Sequence, residues 1–142
     1  MKKQSVTVKH DFECGYVSKD EYGLVRFNAH RYRLEISVTC PQRLVDNGIV
    51  ISFDSLKQII SAQCPHNKFM YNIHDDAGSD IAKVIMNYSS DIYQVNYDIT
   101  AERLCDALVS RIQSALDTYE PGVFVNNAIL RENNISYVDW SI

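Results

Sequence analysis

Along residues 27 to 38, FNAHRYRLEISV, polar and apolar side chains alternate, the signature of an extended strand with two different faces. Asn28, His30, Tyr32, Leu34, Ile36 and Val38 share one side, and Phe27, Ala29, Arg31, Arg33 and Glu35 take the other. The apolar row therefore ends in two polar groups, Asn28 and His30. The same period of two in SVTVKHDFECGY, residues 5 to 16, puts Val6, Val8, His10, Phe12, Cys14 and Tyr16 on one side and predicts a preceding strand. The polar loop VSKDEYG between them makes the two an antiparallel pair.

Further along, Asn47-Gly48 is a turn signal and Ile49 to Phe53 reads as a short extended run. Asp54 then caps a helix that carries Leu56, Ile59 and Ile60. The segment from Asn67 to Asp98 shows no clean period; it reads as a loop to about Ser79, followed by extended pieces at IAKVIM and DIYQVNY. Residues 99 to 120 hold the clearest helix. Thr100 is its N-cap, Glu102 sits near its positive end, and Leu104, Leu108, Ile112 and Leu116 recur every four residues. Pro121-Gly122 stops it, and VFVNNAIL and ISYVDW are two more strands joined through RENN. An antiparallel sheet with two helices on one face is the economical packing of that order, an α+β fold.

At 142 residues the chain is the size of one domain, expected here over residues 1 to 142, and 46% hydrophobic content supports a real core. The net charge of −4 gives no basic footprint for a phosphate backbone, so nucleic acid is not the expected partner. The start, MKKQSVTVKHDF, has no apolar targeting core, and no stretch approaches a membrane span, which points to a cytoplasmic protein without a membrane partner. Cys14, Cys40, Cys64 and Cys105 form no C-x-x-C pair and read as reduced thiols. His74 beside Asp75-Asp76 offers metal-ligand chemistry, although a solvated polar loop accounts for it equally well; Tyr88, Tyr93 and Tyr97 read as sheet surface or a subunit contact.

Taken in order, five segments resemble the 6-pyruvoyl-tetrahydropterin and 6-carboxytetrahydropterin synthase family. HDFECGY at 10 to 16 is similar to the family's F-x-F-x-A-A-H, NAHRYRLEISV to its H-G-H strand, and GIVISFDSLK at 48 to 57 to its G-M-V-x-D-F-x-x-L-K. ITAERLC at 99 to 105 is similar to P-T-x-E-N-L-A, and ENNISYVDW at 132 to 140 to the family's closing E-T motif. The resemblance implies the tunnelling fold, a four-stranded antiparallel sheet with two helices on one face in the order β-β-α-α-β-β. It implies a homo-oligomeric, trimer-based barrel or a hexamer built from it, with ligand sites between chains.

It also implies a site, carried over residue by residue. Family members bind zinc through three histidines, a physically sensible site with one position open. Here those positions hold Tyr16, Asn28 and His30, so one imidazole of the set remains. An alternative alignment puts His10 at the first position and still leaves Asn28 within the triad. The family's catalytic cysteine, just before H-G-H, has no counterpart in DEYGLVRFNAH. Its L-D-H segment corresponds to Cys64-Pro65-His66, which keeps the histidine, replaces the acid, and leaves Cys64 and His66 as a thiol-imidazole candidate beside the plain reading of a loop cysteine and a surface histidine. Glu132 matches the glutamate that grips the amino-pyrimidine edge of the pterin, and Thr100 matches the threonine of P-T-x-E-N.

Three functions compete on these residues. The first is a divergent member that binds a pterin or purine-like ring through Glu132 without the usual zinc and thiol chemistry. The second is an active carbon-oxygen lyase acting on 7,8-dihydroneopterin triphosphate through a rebuilt site, in tetrahydropterin or queuosine biosynthesis. The third is a structural or interaction protein that keeps the fold alone.

Overall fold

The computed structural model describes residues 4–41, 49–133 and 135–142. The predicted turn at Asn47-Gly48 lies outside them. Two long strands, β1 (Ser5–Lys19) and β2 (Val25–Thr39), form an antiparallel hairpin paired without interruption from Ser5↔Thr39 to Lys19↔Val25. Asp20 builds its turn: the Oδ1 atom accepts the N–H groups of Tyr22 and Leu24, and Gly23 supplies the positive φ of 78°.

α1 (Phe53–Gln63) follows, capped by the Ser52 hydroxyl, which accepts the N–H of Ser55; the predicted cap, Asp54, lies inside the first turn. Ser52 has the extended backbone a cap requires and Asp54 is already helical, so residues 49 to 52 lead into the helix and form no strand. After β3 (Lys68–Asn72) come α2 (Asp76–Met86), β4 (Ile92–Val95), α3 (Ala101–Tyr119), β5 (Phe124–Arg131) and β6 (Tyr137–Ser141).

The sheet has six strands in the order β4-β3-β1-β2-β5-β6, mixed in direction, since β3 runs parallel to β1 and β4 parallel to β3. This corrects the expected four strands and two helices. The difference lies wholly between α1 and α3. There IAKVIM, expected as extended, forms most of α2 under the Asp75 cap, whose Oδ2 accepts the N–H of Gly78, and KFMYN, expected as loop, is β3. DIYQVNY does contain a strand, β4.

Leu104, Leu108, Ile112 and Leu116 of α3, with Leu56 and Ile60 of α1, are fully buried against Phe12, Tyr32, Leu34, Ile36 and Leu130 of the sheet. Met70 joins this core. Its neighbour Tyr71 points to the opposite face, where Gly78 of α2 comes so close that a Cβ on it would stand 3.5 Å from the Tyr71 Cβ. α2 therefore covers part of the face that two helices alone would leave open. Over β1, β2 and β5 that face carries ion pairs instead: Asp11 takes Arg33 on both oxygens, and Glu35 takes Arg131 at 2.9 Å and Lys9 at 3.5 Å.

Candidate functional site

On the helix-covered face, the register of the first hairpin makes a ladder whose successive rungs are Val8–Ile36, His10–Leu34, Phe12–Tyr32, Cys14–His30 and Tyr16–Asn28. Phe12 and Tyr32 stack at 5.2 Å between ring centroids and are fully buried. Beyond them the cover ends and the ladder turns polar. His30 is held edge-on to Tyr32 at 5.6 Å, and its Nε2 stands 2.9 Å from Oε1 of Glu132, which follows directly on β5.

The chain reverses just past that carboxylate. The Glu132 N–H donates to the Ser136 carbonyl, and the Asn133 side chain accepts the N–H groups of Ile135 and Ser136. His30 and Glu132 are about one-third exposed, at 31% and 28% of their side chains. An open depression of about 340 Å3 crosses the hairpin here, lined by Glu13 and Gly15 of β1 and Ala29 and Arg31 of β2, whose positions take the face opposite His30, together with Cys14, His30, Asn67 and Lys68; Glu132 is not among its described lining residues.

Tyr16, Tyr32 and Cys14 are the groups of this end whose pKa values move, all upward. Burial, and then the nearby Glu132 charge, raise the Tyr16 phenol above its ordinary value; the Tyr32 phenol, hydrogen-bonded to it, is pushed higher still by its own burial. Burial pushes the Cys14 thiol up to about 12. Both phenols and the thiol keep their protons at neutral pH.

The other residues singled out in the sequence fall elsewhere. Burial likewise pushes the Cys64 thiol, at the end of α1, up to about 12, which removes thiolate character. His66 lies along the opposite edge of β1 from β2, its Nδ1 accepting the Glu13 N–H at 3.0 Å. His10 is separated from His30 by the Phe12–Tyr32 rung; its Nε2 is buried without a hydrogen-bond partner, and burial, then His66, lower its pKa. The Thr100 hydroxyl accepts the Arg103 N–H as the cap of α3 and lines a different cavity, of about 440 Å3, with Lys19, Asn72, His74 and Asp98. Asp75 is occupied as the cap of α2. Sequence reasoning missed the Tyr16–Tyr32 phenol pair and the His30–Glu132 contact, which join residues 16 and 102 positions apart and have no local signal.

By sequence alone, no curated protein matches the chain. The family model described as 6-pyruvoyl tetrahydropterin synthase matches residues 5–141. The chain belongs to the 6-pyruvoyl tetrahydropterin synthase family. Solved structures agree in fold. An uncharacterized protein, WS1659 from Wolinella succinogenes, is 15% identical, with a TM-score of 0.73 over 99% of both chains. The 6-pyruvoyl tetrahydropterin synthase of Plasmodium vivax is 14% identical, with a TM-score of 0.71 over 100% of both chains, and that of Caenorhabditis elegans is 11% identical at 0.64 over 100% of this chain and 97% of its own.

Zinc is the metal that membership in the 6-pyruvoyl tetrahydropterin synthase family implies, and the residues that the sequence resemblance assigns to its ligand positions, Tyr16, Asn28 and His30, do not fit it. The Tyr16 phenol is held protonated, the Asn28 carboxamide donates through Nδ2 to Ser18 Oγ at 2.9 Å, and the one imidazole directs Nε2 to Glu132. A phenol and a carboxamide are poor partners for an ion that favours imidazole and thiolate. Among the described residues, no three histidine, cysteine, aspartate or glutamate side chains are grouped to hold an ion.

Proposed function

We propose that this protein is a divergent 6-pyruvoyl tetrahydropterin synthase-like protein that binds a pterin or purine-like ring through Glu132, without the family's zinc and thiol chemistry. The observation that carries this reading is the half-buried Glu132 carboxylate at the end of β5, held by His30 and close enough to the protonated Tyr16 phenol for its charge to raise that group's pKa. A carboxylate accepts two parallel N–H bonds from a guanidine-like ring edge, and a partly desolvated one does so more strongly. The Tyr16 hydroxyl is a donor for an acceptor on the same ring. As in the family resemblance, the chain assembles as a homo-oligomer through its sheet edges, with the ring bound near a subunit boundary.

The test is titration with 7,8-dihydroneopterin, followed by calorimetry. A saturable site lost in Glu132→Ala supports the reading; unchanged binding in that variant rejects it. A chain that bound neither pterins nor purines as a well-folded oligomer would be a purely structural protein.

One observation favours a second reading, an active lyase with a rebuilt site. Two solved structures are Plasmodium vivax 6-pyruvoyltetrahydropterin synthase variants in which a catalytic glutamate is replaced, so that relative uses a carboxylate in its chemistry. In this chain the rebuilt site would use His30 with His10 or Cys14. Release of inorganic triphosphate from 7,8-dihydroneopterin triphosphate by the metal-loaded protein, abolished in His30→Ala, would establish this second reading; its absence removes it.

A further inference from the structure

We propose that His30, which stands at a family zinc-ligand position, is in this chain the positioning residue of Glu132: it holds the ring-binding carboxylate in place by a hydrogen bond, so that the site takes its ligand without a metal. The proposal rests on ring binding through Glu132 and adds how that carboxylate is prepared.

Three observations support it. A glutamate beyond the last paired residue of a strand has three free torsions, and ordering them on ligand binding costs side-chain entropy. His30 Nε2, at 2.9 Å from Oε1, is the one side-chain contact seen for that carboxylate among the described residues, and it leaves Oε2 for a ligand. The imidazole is itself braced from beneath, edge-on to the fully buried Tyr32, which stacks on Phe12 and is hydrogen-bonded to Tyr16. Support thus runs from the core through an aromatic ring to the imidazole and then to the carboxylate. A zinc ion on the same nitrogen would have to displace Glu132, so the hydrogen bond and the metal exclude one another.

The experiment uses pterin as the probe, with the full-length protein stripped of metal and kept in EDTA, and with the same protein after zinc addition. Wild type binds equally in both. His30→Ala weakens binding about tenfold, the size of one hydrogen bond to a charged group. His30→Gln recovers it to within about threefold, because a carboxamide N–H can reach the same oxygen and a mere loss of fold would not be rescued. Wild-type affinity in His30→Ala, with binding lost in Glu132→Gln, overturns the positioning role and leaves ring binding standing. Zinc-dependent binding that both His30 variants lose also overturns it, in favour of a ligand role.

If wild type binds no pterin at all, it is the ring-binding reading that fails. The contact itself is then decided by thermal unfolding of His30→Ala, Glu132→Ala and the double variant. Non-additive melting shifts support the hold, and additive ones overturn it.

Discussion

The two ends of one row of side chains, on the same face of the same hairpin, behave oppositely. At the inner end Phe12, Tyr32, Leu34, Ile36 and Val38 are sealed in one core with α1 and α3, and at the outer end Tyr16, Asn28 and His30 are partly exposed, His30 on Glu132 and Asn28 on Ser18. The backbone pairing does not change along the row. What changes is the burial: past the Phe12–Tyr32 rung Tyr16, Asn28 and His30 become partly exposed, and the two polar groups of β2 find partners in Ser18 and Glu132. A strand can in this way carry core and site in one register, the rigid end fixing the geometry of the other.

The largest effect should come from breaking the sealed end. Leu34→Ala removes a fully buried side chain between His10 and its neighbours, and should lower stability by about 3 kcal/mol in denaturant unfolding, without changing the outer end's chemistry. A loss below about 1 kcal/mol would mean the row is not the core it is taken for.

Thr100→Ala tests whether the residue the family resemblance assigns to ligand binding acts here through its cap. Loss of the Arg103 bond should cost about 1 kcal/mol of stability and leave ring affinity unchanged. Affinity lost without a change in stability would restore Thr100 to the site.

At the outer end Glu132→Gln should shift stability by no more than about 0.5 kcal/mol, since the pair is partly exposed and screened.

The smallest effect concerns pH. Burial lowers the pKa of His10 in the folded chain, so between that value and the ordinary 6.5 the unfolded chain binds the extra proton and stability falls as pH falls. His66 opposes protonation further and Asp11 partly favours it. His10→Phe should flatten this acid limb in pH-dependent melting; an unchanged limb would assign it to other groups.

How much of this was legible in the sequence follows from the range of the interactions. β1, β2 and α3 are long and strongly periodic, and the Thr100 cap is a local signal, so all were readable. The β3-α2-β4 unit was not. KFMYN and IYQV are too short to show a period, and IAKVIM is apolar enough to pass for a strand until Asp75 is recognised as a cap. At the site, alternation put Tyr16, Asn28 and His30 on one face and the family motif pointed to Glu132. That His30 reaches Glu132 depends on how β2 pairs with β5, where the register shifts between Ser37 and Val38, and no pattern in either strand encodes that.

At the outer end, the proposal has a hydrogen-bonded imidazole and carboxylate standing where family members hold zinc. The direct measurement is elemental analysis of tag-free protein after zinc loading and desalting. The expected result is well below about one tightly held zinc per chain, unchanged in His30→Ala. About one zinc per chain, lost when His30 is replaced, would contradict it.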